Sequence, residues 1–168
     1  HQDIKPENIM IDDHGKAWVV DWGSARFPDE SKQESTNQPF KSSQREYRLS
    51  ERRRFLGSPL YVSPETIRCE AIDSSSDVYS IGAVLYDIIA LDTMVKASNY
   101  RSAIRIARTG RHRSPIETTL RMIRPEQSPA FNALENLWKN CTSLSPEGRV
   151  TDCSEVAEHL IEISEQLD

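Results

Sequence analysis

The sequence is short of several things, and each shortage excludes a class of protein. No apolar run approaches the roughly 20 residues that a helix needs to cross a bilayer, so nothing in these 168 residues reads as a membrane segment. Cysteine occurs only as Cys69, Cys141 and Cys153, widely spaced, without a CxxC pair or a histidine at zinc-finger distance. That excludes a disulfide framework or a structural zinc site, and fits reduced thiols in a cytoplasmic setting. Positive charge is not in excess: 21 Lys and Arg stand against 26 Asp and Glu, a net charge of −5. A general nucleic-acid binder needs a basic face and is excluded on that ground. The six glycines, at 15, 23, 57, 82, 110 and 148, never fall into a GxGxxG or GxxxxGK spacing. No Gly-rich phosphate cradle is therefore encoded here, and no internal repeat is present.

What is there suits one globular domain, with 37% hydrophobic and 28% charged residues. Two short β-type runs, Ile9 to Ile11 and Ala17 to Val20, flank "DDHGK", whose Asp and Gly chemistry predicts a hairpin turn near His14 and Gly15. Asp12 and Asp13 are read as turn residues. From Phe27 to Phe55 neither helical nor strand periodicity survives, which predicts a long loop. Pro64 suits the first turn of a short helix through Cys69. "DVYSIGAVLYDIIAL", Asp77 to Leu91, is apolar all round the wheel and predicts a buried central helix capped by the preceding serines. Weaker helical spacing covers Tyr100 to Ala107, with a loop after it. Ser128 and Pro129 open a helix carrying Phe131, Leu134, Leu137, Trp138 and Cys141 on one face, and Val156, Leu160, Ile163 and Leu167 repeat the pattern after a cap at Thr151. The fold class is mainly α with a small β-hairpin.

The chemistry concentrates at the start, in "HQDIKPENIM" and "DWG". A turn near His14 and Gly15 puts Asn8 and Asp21 opposite one another at the open end of the hairpin, on strands about 5 Å apart. Two hard oxygen ligands side by side suit Mg²⁺, which completes its shell with water and phosphate oxygens. Asp3 lies close enough in sequence to act as a base beside the metal, and Lys5 adds positive charge. These are the parts of a phosphoryl-transfer site.

The same residues carry a resemblance. His1, Asp3 and Asn8, with Lys5 in "DIKPEN", resemble the catalytic loop of eukaryotic-type (Hanks-type) Ser/Thr protein kinases. Asp21, Trp22 and Gly23 resemble the metal-binding DFG, Trp replacing Phe, and Ser63, Pro64 and Glu65 resemble APE. Arg149 stands where the family has an Arg that pairs with the APE glutamate, and the helix from Asp77 is similar to the family's central helix. The landmarks run in order along the chain; an unrelated Mg²⁺-dependent phosphatase or nuclease would not explain that order.

The resemblance implies the C-terminal lobe of the protein-kinase-like α+β fold, with the N-terminal lobe absent. Residues 1–26 would be catalytic loop, hairpin and DWG, 27–56 a long activation loop, and 57–168 a helical subdomain. It implies catalytic roles for Asp3 and Lys5, and Mg²⁺ and ATP binding through Asn8 and Asp21, with protein Ser or Thr hydroxyls as substrate. Ser58 in "GSPLY" points to the Ser/Thr branch. His1, Asp77 and the Glu65–Arg149 pair are expected to be scaffold. Gln2 replaces the Arg that in many kinases receives an activation-loop phosphate, which predicts weaker dependence on loop phosphorylation. The loop's serines and threonines, Ser31 to Ser50, beside the basic cluster Lys41 to Arg54, read either as a solvated loop or as autophosphorylation sites. The Gly-rich loop and its paired Lys and Glu are expected upstream, as is a helix beneath the catalytic loop. The fragment alone is thus expected to be inactive and to expose apolar surface on its central helix. The alternative is a non-catalytic, pseudokinase-like interaction module.

Overall fold

The computed structural model describes residues 1–26, 59–68, 70–110, 112–115 and 129–166. The expectations for 27–56, Ser58, Cys69 and the Ser128 cap lie outside these residues. A single two-stranded antiparallel sheet, β1 (Ile9–Ile11) and β2 (Ala17–Val19), pairs Ile9 with Val19, Met10 with Trp18 and Ile11 with Ala17. Five α-helices follow among the described residues: α1 (Pro64–Arg68), α2 (Ser74–Ala90), α3 (Tyr100–Thr109), α4 (Pro129–Cys141) and α5 (Cys153–Ser164).

The hairpin turn is a three-residue loop. Asp12 N donates to Lys16 O at 3.0 Å, Gly15 takes φ +79°, and Asp12 Oδ1 accepts from the backbone N–H groups of His14 and Lys16. This is the Asp-and-Gly turn chemistry the sequence indicated. Its centre falls on His14, one half-step earlier than expected, so Asn8 opposes Val20, with Val20 N donating to Asn8 O at 2.9 Å. Asp21 sits one residue beyond the expected register.

The core is built around α2. Val78, Tyr79, Ala83 and Tyr86 are fully or almost fully buried, and α2 packs against both α4 and α5. Burying each such side chain is worth about 1.5–3 kcal/mol. At Gly82 a Cβ would lie 2.7 Å from Cys141 Cβ and Thr142 Cγ2, so the missing side chain is what lets α4 approach. Trp138 of α4 stacks at a tilt on Tyr86, ring centroids 5.6 Å apart, and donates its indole N–H to Met94 Sδ at 3.4 Å.

Helix α2 begins at Ser74, three residues earlier than expected. The cap is Asp73, whose Oδ1 accepts from Ser75 N and Ser75 Oγ, so the serines form the first turn. A carboxylate caps at least as well as a hydroxyl and suits the positive end of the helix dipole. Similarly α5 is capped by Asp152, which accepts from Ser154 N and Glu155 N, rather than by Thr151. Helix α3 runs on to Thr109 before Gly110 closes it at φ +60°; its start is a reciprocal capping box between Asn99 and Ser102. It packs against α1 around Val95, Ala103 and Ala107. Apolar exposure on α2 is confined to its far end, at Ile88 and Leu91.

Candidate active site

Three of the four expected site residues form one hydrogen-bonded group. Lys5 Nζ donates to Asp3 Oδ2 at 2.6 Å, and Asn8 Nδ2 donates to Asp3 O at 2.8 Å and to Asp3 Oδ2 at 3.0 Å. The turn Pro6–Asn8 folds the loop back so that these side chains meet, its proline at the first position where the lost N–H costs nothing. Asn8 is buried while Asp3 and Lys5 are half-exposed, an arrangement that fixes the amide and leaves the carboxylate reachable. With its nitrogen turned to Asp3, Asn8 presents Oδ1 as an acceptor on its other side.

Asp21, the fourth, follows the hairpin strand end that Asn8 anchors. Its backbone is left-handed, φ 59° and ψ 64°, a conformation that costs a non-glycine residue about 1–3 kcal/mol when held. Asp21 Oδ1 lies 3.2 Å from where a Cβ on Gly23 would be, so the glycine is what admits the carboxylate there. Asp21 carries a carboxylate and Asn8 an amide oxygen, hard donors of the kind Mg²⁺ takes. Trp22 is 62% exposed, with its indole N–H donating to Val19 O at 2.9 Å.

The two parts are tied together by His1. Its Nε2 is 3.0 Å from Val20 O, its Nδ1 accepts from Asp3 N at 3.3 Å, and its ring meets Trp22 edge to face at 4.8 Å. His1 touches both halves of the site and places the loop against the strand end.

The site stands on α2. Asp77 Oδ2 accepts from the terminal ammonium of His1 at 2.6 Å and Oδ1 from Gln2 N at 2.8 Å. This clamp holds Gln2 in the left-handed region, φ 67°, directly before Asp3. Asp77 was expected only to favour a helix start; its grip on a backbone 75 residues away leaves no periodic trace in sequence. A carboxylate facing inward from the first turn of an otherwise apolar helix is the one sign that could have raised it.

Beneath lies the pair expected from Glu65 and Arg149. It is bidentate, both N···O distances 2.7 Å, and both side chains are almost wholly buried. Ser76 Oγ donates to Glu65 Oε1 at 2.7 Å, while Arg149 also donates to Ser143 O and Ser75 O and lies over the Tyr79 ring at 5.1 Å. Burial alone would raise the Glu65 pKa; the hydrogen bonds from Arg149 and Ser76 outweigh it and bring it down to about 2. Leu60 and Tyr61, just before α1, are seated on this base, Tyr61 Oη donating to Asp87 Oδ2 at 2.5 Å.

The sequence also matches known proteins. The protein kinase domain profile matches residues 1–161. Serine/threonine-protein kinase PknD of Protochlamydia amoebophila is 32% identical over 97 residues, 57% of this chain and 10% of its own length. Serine/threonine-protein kinase PKH1 of Saccharomyces cerevisiae is 33% identical over 100 residues, 59% of this chain and 12% of its own. Probable serine/threonine-protein kinase PknB of Bifidobacterium longum is 38% identical over 89 residues, 53% of this chain and 11% of its own. The chain therefore spans about a tenth of the length of these relatives. With the profile running through nearly the whole sequence, the chain belongs to the protein kinase domain family, on its serine/threonine side.

Proposed function

We propose that residues 1–168 are the C-terminal lobe of a serine/threonine protein kinase catalytic domain, moving a phosphoryl group from ATP to Ser or Thr hydroxyls of a protein. The observation that carries this is the hydrogen-bonded Asp3–Lys5–Asn8 group, with Asp21 following Val20, the residue whose backbone pairs with Asn8. Asp3 Oδ orients the substrate hydroxyl and accepts its proton. Lys5, already paired with Asp3, places its ammonium where the transferring group carries negative charge. Asn8 Oδ1 and Asp21 are the residues to hold Mg²⁺, which when bound neutralises phosphate oxygens. His1 and Asp77 keep Asp3 and Asp21 in register. These 168 residues hold no Gly-rich phosphate loop, so ATP turnover requires an N-terminal lobe supplied with them. The lobe divides into residues 1–26, an activation loop at 27–56 and a helical part at 57–168.

The test is radiolabelled phosphate transfer from ATP to a Ser/Thr peptide, using the chain expressed with the coding sequence that precedes His1 in its gene. Asp3→Asn should lower kcat about 10²-fold or more, the usual contribution of a positioned base. Wild type no more active than Asp3→Asn would move the chain to a non-catalytic, interaction-only class.

A further inference from the structure

The charge of this chain is sorted by region. Residues 93–116 contain Lys96, Arg101, Arg105, Arg108, Arg111 and Arg113 and no Asp or Glu, within a chain of net charge −5. Residues 150–168 contain Asp152, Glu155, Glu158, Glu162, Glu165 and Asp168 and no Lys or Arg. Each region contains a helix with one buried and one exposed face. On α3, Arg101, Arg105 and Arg108 share one face at i, i+4, i+7 spacing, all exposed. No ion pair engages them among the described residues. They rim an open recess of about 420 Å³ whose apolar lining is Ile104. On α5, Glu155, Glu158, Glu162 and Glu165 share one face, and Ile161 at its edge is 59% exposed.

The two faces match in length and in kind. Arg101 to Arg108 and Glu155 to Glu162 are each seven positions apart, about 10 Å of helix axis. One offers Ile104 within a basic rim; the other offers an exposed isoleucine among carboxylates, with His159 3.8 Å from Glu155 and 3.6 Å from Glu162. They do not meet within one chain: no ion pair links them among the described residues, and the arginines remain exposed.

We propose that α3 of one copy docks on α5 of a second copy, the carboxylates of α5 engaging the three arginines while Ile161 enters the recess against Ile104. Like-charge repulsion disfavours α3 on α3 and α5 on α5, so the pairing selects one face for the other. Exposed ion pairs are individually weak and salt-screened, which makes this a low-affinity, salt-sensitive association.

Sedimentation equilibrium of the full chain at about 20 mM and about 500 mM NaCl tests it. At low salt the average mass should rise above the 19.2 kDa monomer, and high salt should reverse the rise. Arg105→Glu with Arg108→Glu, and separately Glu158→Arg with Glu162→Arg, should each weaken association at least about tenfold. An equimolar mixture of the two variants should regain it. All four positions are exposed, and circular dichroism checks that the variants stay folded. A monomer at low salt, an association that survives high salt, variants that associate like wild type, or a mixture that stays monomeric would each overturn the proposal.

Discussion

The two halves of this molecule hold their polar residues by opposite means. In the helical half Glu65 and Arg149 are sealed from water, and every hydrogen bond they make is short and internal. At the hairpin end Met10, Ile11, Trp18 and Trp22 are between 50% and 73% exposed, and two non-glycine residues, Gln2 and Asp21, sit in left-handed backbone. Strain of that kind persists only where neighbours over-determine it. Here the neighbours are His1 and Asp77, so the exposed half borrows its rigidity from the buried one. Reactive groups must be reachable, and reachable groups cannot be held by burial.

The largest effect should come from breaking the buried pair. Glu65→Ala leaves Arg149 as an uncompensated interior charge and should cost about 3–5 kcal/mol, read as a lowered urea midpoint. Lowering pH approaches the same result. Because the Glu65 carboxyl is depressed from 4.5 to about 2, its contribution is complete above about pH 4.5 and is lost as pH falls toward 2. Glu65→Ala should flatten that part of the stability profile, and an unchanged acid limb would contradict the assignment.

Cutting the connection between the halves comes next. Asp77→Ala removes the acceptor of the His1 terminal ammonium and of the Gln2 backbone N–H and should cost about 2 kcal/mol. Its signature is local: hydrogen exchange at Gln2 and Asp3 should speed up well beyond that in α4. Uniform acceleration across both would mean that Asp77 supports the fold generally rather than the loop.

Gly23→Ala acts within the exposed half alone. A methyl 3.2 Å from Asp21 Oδ1 forces the carboxylate to shift by a few tenths of an ångström. Stability should change by less than about 1 kcal/mol, while Mg²⁺ affinity, followed by NMR titration, should fall several-fold. The smallest effect belongs to Trp18→Ala, which removes an exposed hydrogen bond to Asp12 Oδ2 and the contact with the Lys16 ammonium 4.2 Å from its ring, and should cost about 0.5 kcal/mol in thermal unfolding.

The same division decided what could be read from sequence. The helices were legible because burial imprints periodicity: α2 was visible as an apolar stretch and α4 as a one-sided face. Their starts were not, because Ser, Thr and Asp all cap, and only geometry shows that Asp73 and Asp152 do so here. The hairpin was legible from "DDHGK", yet its register was missed by one residue, since Asp12 pins a three-residue loop where a two-residue turn fits the same letters. Asp3, Lys5 and Asn8 are near neighbours in sequence, so their convergence was within reach. Asp21 lies one residue past the place expected opposite Asn8, and its left-handed backbone and dependence on Gly23 belong to conformation, which residue identity does not encode.

The clamp of Asp77 on His1 and Gln2 also orders events in time. Synthesis delivers the loop at residues 1–8 before α2, and residues 75 positions apart must meet before that loop has its geometry. The Glu65–Arg149 pair, 84 positions apart, completes α2's surroundings later still. Contacts of such separation form slowly, because chain entropy is lost before they reward it. Residues 1–26 are thus made before α2 yet take their shape only with it, and a growing polypeptide carries these letters without the loop geometry they encode.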